Sequence, residues 1–397
     1  MAQVHWRGDA PAVAQLTIAT PANVEVGDVF SLTINGKSVS YTAAAATVAD
    51  VTAGLTSAVN DSEIPEFGEL VATDTATEVT LTAATLGVPF TVAAATIDGG
   101  GTDNQTLTLS EIISSAGPND FSTPGNWSTG AVPASGDDVF IEYSDASILY
   151  GLDQASVILN SLQIAASFDG EIGLSRVNTN NTEDYVEYRP QYLAISAATV
   201  AIGSGRGDGS GRIQLDLGTT ASAVKVHKTA PPIEFDLPAV LLTGSHVDNT
   251  VTVVDGSVGI ALIGGETATV NTLRHAGGSV QVGPDVMLDA IERSGEGELV
   301  VQCPVGALTQ TSGRTTVLGD GAIDALALGG GRVDYRSAGE ITSALLTDPQ
   351  AVLDFSTDLQ PRTVANCTLQ FGTVLDPHQT VTWSTGIQPA TGAAMLR

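Results

Sequence analysis

The sequence predicts a mainly β protein, in which a small N-terminal α+β module precedes a parallel β-helix with rungs of roughly 18 residues. Three observations carry this. Gly259, Gly277, Gly295, Gly313 and Gly331 recur at a constant 18-residue spacing, and a short fixed period with a corner glycine marks coils that stack on one another. Charged residues make up 15% of the chain, against roughly 25% in ordinary domains, while Gly, Ala, Val and Thr dominate, a palette of strands and tight turns. The first hundred residues alternate apolar and polar positions around one amphipathic stretch.

Residues 1–14 read as an N-terminal arm. Residues 15–101 read as a compact module of β-β-α-β-β-β order. LTIAT and FSLTIN alternate as half-buried strands, Asn35-Gly36 is a strong hairpin signal, and SVSYT returns as the partner. Thr47 and Asp50 have the spacing of an N-terminal cap, and Val48, Val51, Leu55 and Val59 share one helical face. GELVAT, EVTLTA and PFTVAAAT follow as strands. Residues 102–136, rich in Gly and Pro, form a bridge and β-helix entry cap in which Trp127 plugs the core end; Asp137 and Asp138 complete the entry, and Val139 and Ile141 open the first strand. Residues 137–376 form the β-helix. Each rung has a β patch after its glycine and a second apolar spot late in the turn: Leu273, Ile291, Leu308, Leu326, Leu345. Helical repeats of about 33 residues or more would not tolerate so much Gly, Thr and Val. TNNTEDYVEYRP and HKTAPPIEFDLP read as loops on the shaft. Residues 377–397 form a C-terminal cap, through Trp383, or a docking tail.

Charge excludes further classes. With 44 acidic against 15 basic residues the net charge is −29, and lysine occurs only at 37, 225 and 228. Nucleic-acid and anionic-membrane binding need clustered cations. The longest apolar stretch, Tyr192 to Ile202, is far shorter than the roughly 18 residues of a membrane span. Neither a basic-then-apolar leader nor a disulfide framework is visible, since Cys303 and Cys367 are the only cysteines. The chain is expected to stay in the cytosol where it is made, or to leave it by lysis or within a particle.

No catalytic constellation stands out. The five histidines have no metal-ligand spacing, and neither a nucleophile elbow nor a P-loop occurs. The candidate acids of the repeats, including Asp289, Asp324, Asp334 and Asp354, fall at scattered offsets from the rung glycines, whereas glycoside chemistry needs two carboxylates about 5–10 Å apart. The expectation is no enzyme and no cofactor. Structural calcium has hard-oxygen candidates in Asp98 and Asp103 beside a glycine run, and in Asp137 and Asp138.

Two segments carry a resemblance. VEVGDVFSLTINGKSVSYTAAAATVADVTAGLTSAVN, residues 24–60, resembles a small module that recurs in bacteriophage structural proteins and some bacterial surface proteins. FSTPGNWSTGAVPASGDDVFI, residues 121–141, resembles the entry into β-helix domains of surface and particle proteins. The pairing is similar to that of phage and prophage-encoded virion structural proteins. The resemblance implies a virion location and an exposed accessory role, as capsid decoration or as tail fibre or spike. Its implied partners are sister chains in a homotrimer, a major capsid or tail protein, and a host-surface glycan. It brings no catalytic residues. A bacterial adhesin or carbohydrate-binding β-helix, and a polysaccharide-depolymerising tailspike, are the alternatives.

Overall fold

The computed structural model describes residues 2–178 and 184–389. Residues 138–389 form a parallel β-solenoid of about 12 turns, preceded by a small α+β region. A representative turn runs Ser279–Val282, a corner, then Val286–Arg293, which bends at Asp289. Its three straight pieces pair in parallel with the turns on either side. Three ladders therefore run along the shaft: ladder I through Ser279–Val282, ladder II through the first half of Val286–Arg293, and ladder III through the second half. Inward Val, Leu and Ile stack into one continuous core.

The corners explain the glycines. Gly256, Gly278, Gly297, Gly313, Gly331 and Gly372 each precede a ladder I strand, with φ between 74° and 116°. A Cβ at Gly278 would lie 2.2 Å from the Gly256 carbonyl oxygen, the atom that accepts from Ser279 N at 2.8 Å. The corner thus needs both a left-handed backbone and an empty side chain. The 18-residue reading is corrected here. Gly313 and Gly331 stand in this column, but Gly259 lies within ladder I opposite Gln281, and Gly277 and Gly295 precede the column by one and two residues. Register partners Ser257, Ser279, Glu298, Arg314, Arg332 and Val352 are 22, 19, 16, 18 and 20 residues apart. Turns of different length keep the ladders aligned while the count between glycines drifts.

The two ends are sealed by aromatics. Within the N-terminal arm, β1 (Gln3–His5) pairs in parallel with β9 (Asp138–Ile141) and supplies an outer strand to the first turn. Its alternation places Val4 and Trp6 inward. Trp127 is buried as expected, edge-on to Trp6 at 5.0 Å and to Phe121 at 4.8 Å, and its indole N–H donates to the Phe121 carbonyl. At the far end Phe355 lies edge-on between Tyr335 and Trp383, while Arg362 donates to the Tyr335 carbonyl at 2.6 Å. Trp383 and Ile387–Pro389 belong to the last described turns; residues 390–397 of the expected tail lie outside the described residues.

The module has its own core around Phe30, Leu32, Val51, Leu55 and Leu81. Three strands, β2 (Leu16–Ala22), β3 (Val29–Ile34) and β4 (Lys37–Thr42), precede helix α1 (Val48–Asn60) where the β-β-α-β-β-β order had two, with Asn35 and Gly36 both left-handed in the β3–β4 turn. Thr47 caps the helix, and Val51, Leu55 and Val59 are buried. The strands β5 (Leu70–Asp74), β6 (Val79–Ala83) and β7 (Val92–Ile97) follow. The expected bridge holds a further strand, β8 (Thr106–Ile113), which completes the sheet β5-β6-β2-β8, so the module reaches past residue 101. Its TLTLSEII pattern is a strand pattern, masked in sequence by the flanking glycines and prolines.

Gly278→Ala should destabilise the shaft by about 2 kcal/mol or more, because it combines strain with a clash. Gly264→Ala, where a Cβ meets nothing within 4 Å, should stay within about 0.5 kcal/mol of wild type. Denaturant unfolding of both variants checks this.

Candidate functional site

The most elaborate polar constellation lies where the module meets the shaft. Glu69 ends a 3-10 turn, Pro65–Glu69, and its carboxylate is almost fully buried. Oε1 accepts from Arg189 Nη2 and Asn178 Nδ2, each at 3.0 Å, and from the Tyr185 hydroxyl. Oε2 accepts from the Tyr188 hydroxyl at 2.6 Å. Arg189 is gripped by Glu187, Nε to Oε1 at 2.8 Å, reaches the Pro89 carbonyl at 3.2 Å, and lies over the Tyr188 ring at 4.6 Å. Two buried carboxylates face one guanidinium, and the tyrosines supply the missing donors. Burial and the hydrogen bond to Glu69 raise the Tyr185 hydroxyl well above its ordinary pKa, keeping it a protonated donor.

Asn178 apart, these shaft residues come from TNNTEDYVEYRP, which the sequence reads as a loop on the shaft. Residues 179–183 lie outside the described residues; from Tyr185 on, the segment turns inward. Tyr185, Glu187 and Arg189 are buried on one side. That strict alternation was the available signal. The arrangement is a lock that fixes the module on the shaft, and a cleft of about 420 Å³ beside it is lined by Glu69, Tyr150 and Leu86 among others.

The carboxylates do find columns. Leu288, Val305 and Ile323 are register partners, and so are Ala290, Ala307 and Ala325. Asp289, Gly306 and Asp324 therefore share one outer position on successive turns. Two turns of sheet spacing put the aspartates about 9.5 Å apart, and a Cβ at Gly306 would press on the Asp289 carbonyl at 2.6 Å. They line a cleft of about 620 Å³ with Met287, Pro304 and Val270. The scattered offsets inferred from sequence are thus corrected for this pair, since both aspartates stand eleven residues after true corner glycines, Gly278 and Gly313. Both are exposed, and the cleft lining includes neither a cation nor an aromatic ring among the described residues. Asp334 and Asp354 also share a column, but they are buried under Arg314 and Arg332 as an ion-pair ladder across three turns.

The calcium candidates serve as local anchors at two separate places. Asp98 accepts from Gly101 N and Asp103 from the Gln105 amide, in the β7–β8 connection. Asp137 accepts from Ala2 N and Ala134 N, which hold its carboxyl below the ordinary range. Asp138 accepts from Ser161 and Asn160, each at 2.6 Å, with the same effect. No group of three or more His, Cys, Asp or Glu converges as a metal site among the described residues. Cys303 and Cys367 are buried free thiols, raised by burial to about 12 and about 11.

One polar stack interrupts the core of ladder III. The inward column that runs Ile202, Val226 and Val253 continues as His275, Arg293 and Gln310, then returns to Leu328 and Leu346. The Arg293 guanidinium contacts His275 Nδ1 and donates to the Gly297 carbonyl at 2.7 Å. Burial first, then the Arg293 charge, lowers His275 to about 4.

No protein-family model, curated protein or solved structure matches the chain. The fold defines a capped β-solenoid with an α+β head locked to it.

Arg189→Met should leave Glu69 and Glu187 facing each other without a cation. It should weaken the lock by about 3–5 kcal/mol, seen in calorimetry as a separate early transition of the module. For His275 the folded value lies below the unfolded one of about 6.5. Its stabilising contribution is therefore full above that pH and is lost as pH falls towards 4. Arg293, Glu296 and Glu298 act on the same stack, so the readout is the difference between wild type and His275→Gln. The melting temperature of the wild type should fall more steeply between pH 6.5 and 4.

Proposed function

We propose that this chain is an exposed accessory structural protein of a bacteriophage particle, of the capsid-decoration or tail-fibre and spike type. The single observation that supports it best is the shaft itself: a continuous aliphatic core, closed within one chain and plugged by aromatics at both ends. Such a shaft resists unfolding because each turn is held by the turns above and below it. The locked head gives the shaft a fixed direction from whatever the head attaches to. The two sequence resemblances point the same way.

A second reading, a spike that grips or cleaves a host glycan, draws on the Asp289–Gly306–Asp324 column, whose spacing suits water-mediated hydrolysis. The exposure of both aspartates weighs against it.

Immunogold labelling of particles from a producing culture, with envelope fractions in parallel, tests the first reading. Label on particles is the expected result; label confined to envelopes would overturn it in favour of an adhesin. Incubation of host polysaccharide with wild type and with Asp289→Asn/Asp324→Asn tests the second: release of reducing ends by wild type only would establish it.

A further inference from the structure

The three sides of the shaft differ in what they present. Ladder I carries the Arg314, Arg332, Asp334 and Asp354 network, and ladder II borders the aspartate-lined cleft. Ladder III is flat and nearly uncharged. Beyond Asp138 on the first turn, its first outward column runs from Ser161 to Asn366 and holds only Ser, Thr, Ala and Asn, with Ala223, Thr250, Thr272, Ala290 and Ala307 stacked at the middle. Its second outward column carries only three charges: Lys225, Arg274 and Glu292. The side thus carries two cations, Lys225 and Arg274, against two carboxylates, Asp138 and Glu292, on a chain of net charge −29.

We infer that this side is the surface on which two copies of the chain pair, face to face and with their shafts antiparallel. Charge selects the side: two strongly acidic chains repel wherever carboxylates meet, and here they meet least. Size permits it. About ten turns at ~4.8 Å and four-residue strands at ~3.3 Å per residue give a face of roughly 48 by 13 Å. A pair would bury on the order of 1,200 Å², the lower bound of a stable interface.

Register fixes the orientation. Arg274 and Glu292 occupy the same column on neighbouring turns, 3.0 Å apart, and the boundary between those turns is the midpoint of the column from Ser161 to Asn366. A two-fold axis through that midpoint, along the strands, sets Arg274 of each copy against Glu292 of the other. It also places Ala223 against Ala325, Leu345 against Ala201 and Lys225 against Ala327, so no two like charges meet in either column. Each core here closes by itself, so association of any order, the homotrimer that the resemblance implies included, has to use an outer side.

Sedimentation velocity of the full-length chain tests this independently of where the protein resides in nature. The wild type should sediment at twice the 40.4 kDa mass of the chain. Ala290→Arg, which plants a long cation mid-face, should sediment as a monomer with an unchanged melting curve. Gln281→Arg, on ladder I, should remain a dimer. Arg274→Glu and Glu292→Arg should each be monomeric, and an equimolar mixture of the two should recover the dimer, since only the mixed pair sets opposite charges against each other. A monomeric or trimeric wild type, a dimeric Ala290→Arg variant, or a mixture that stays monomeric would each overturn the pairing.

Discussion

A parallel solenoid draws the hydrogen bonds of every turn from the turns on either side, so the whole structure depends on how the ladder is ended. An unpaired terminal turn would expose both strand edges and the apolar core. At one end the chain spends its first residues on the problem: β1 pairs with β9, and Trp6 joins Trp127 and Phe121 across the opening. At the other, Tyr335, Phe355 and Trp383 perform the same task, with the Arg362 guanidinium 5.9 Å from the Phe355 ring. Large aromatics suit these places because one ring covers the cross-section that several aliphatic side chains fill within the shaft.

Between the ends, two opposing demands act on each turn. Ladder pairing requires strict register, while the connecting corners vary in length. Glycine reconciles them at the entry to ladder I, where a left-handed residue lies directly under a carbonyl of the neighbouring turn. Longer turns place their extra residues in solvent-facing corners such as Gly264-Gly265, where a side chain would meet nothing. Register is conserved in space, and sequence spacing absorbs the slack.

The buried polar groups follow one logic. Glu69 with Arg189, Asp354 with Arg332, and His275 with Arg293 each meet a partner on a different element or turn. Each contact therefore ties together parts that hydrophobic burial would hold less specifically. This concentrates the ionisable chemistry of the shaft on cohesion. Asp289 and Asp324, by contrast, are exposed and share an outer column.

What the sequence determined by itself is local. Period-two alternation, the Asn35-Gly36 turn, the Thr47 cap and a recurring glycine are properties of short segments, and they were enough for the α+β head, the parallel solenoid and the burial of Trp127. What only the tertiary structure decided is register. The corner column runs through Gly278 and Gly297, not Gly277 and Gly295, because turn lengths are set by pairing with a neighbour some twenty residues away. A one-residue error in that origin moved Asp289 and Asp324 out of their shared column. The same limit hid the lock: Glu69 and Arg189 are 120 residues apart, and no local pattern links a 3-10 turn in the head to an insertion in the shaft. β1 and β8 escaped for the same reason, since a short strand is defined by the edge it completes, and that edge exists only once the rest of the chain has folded.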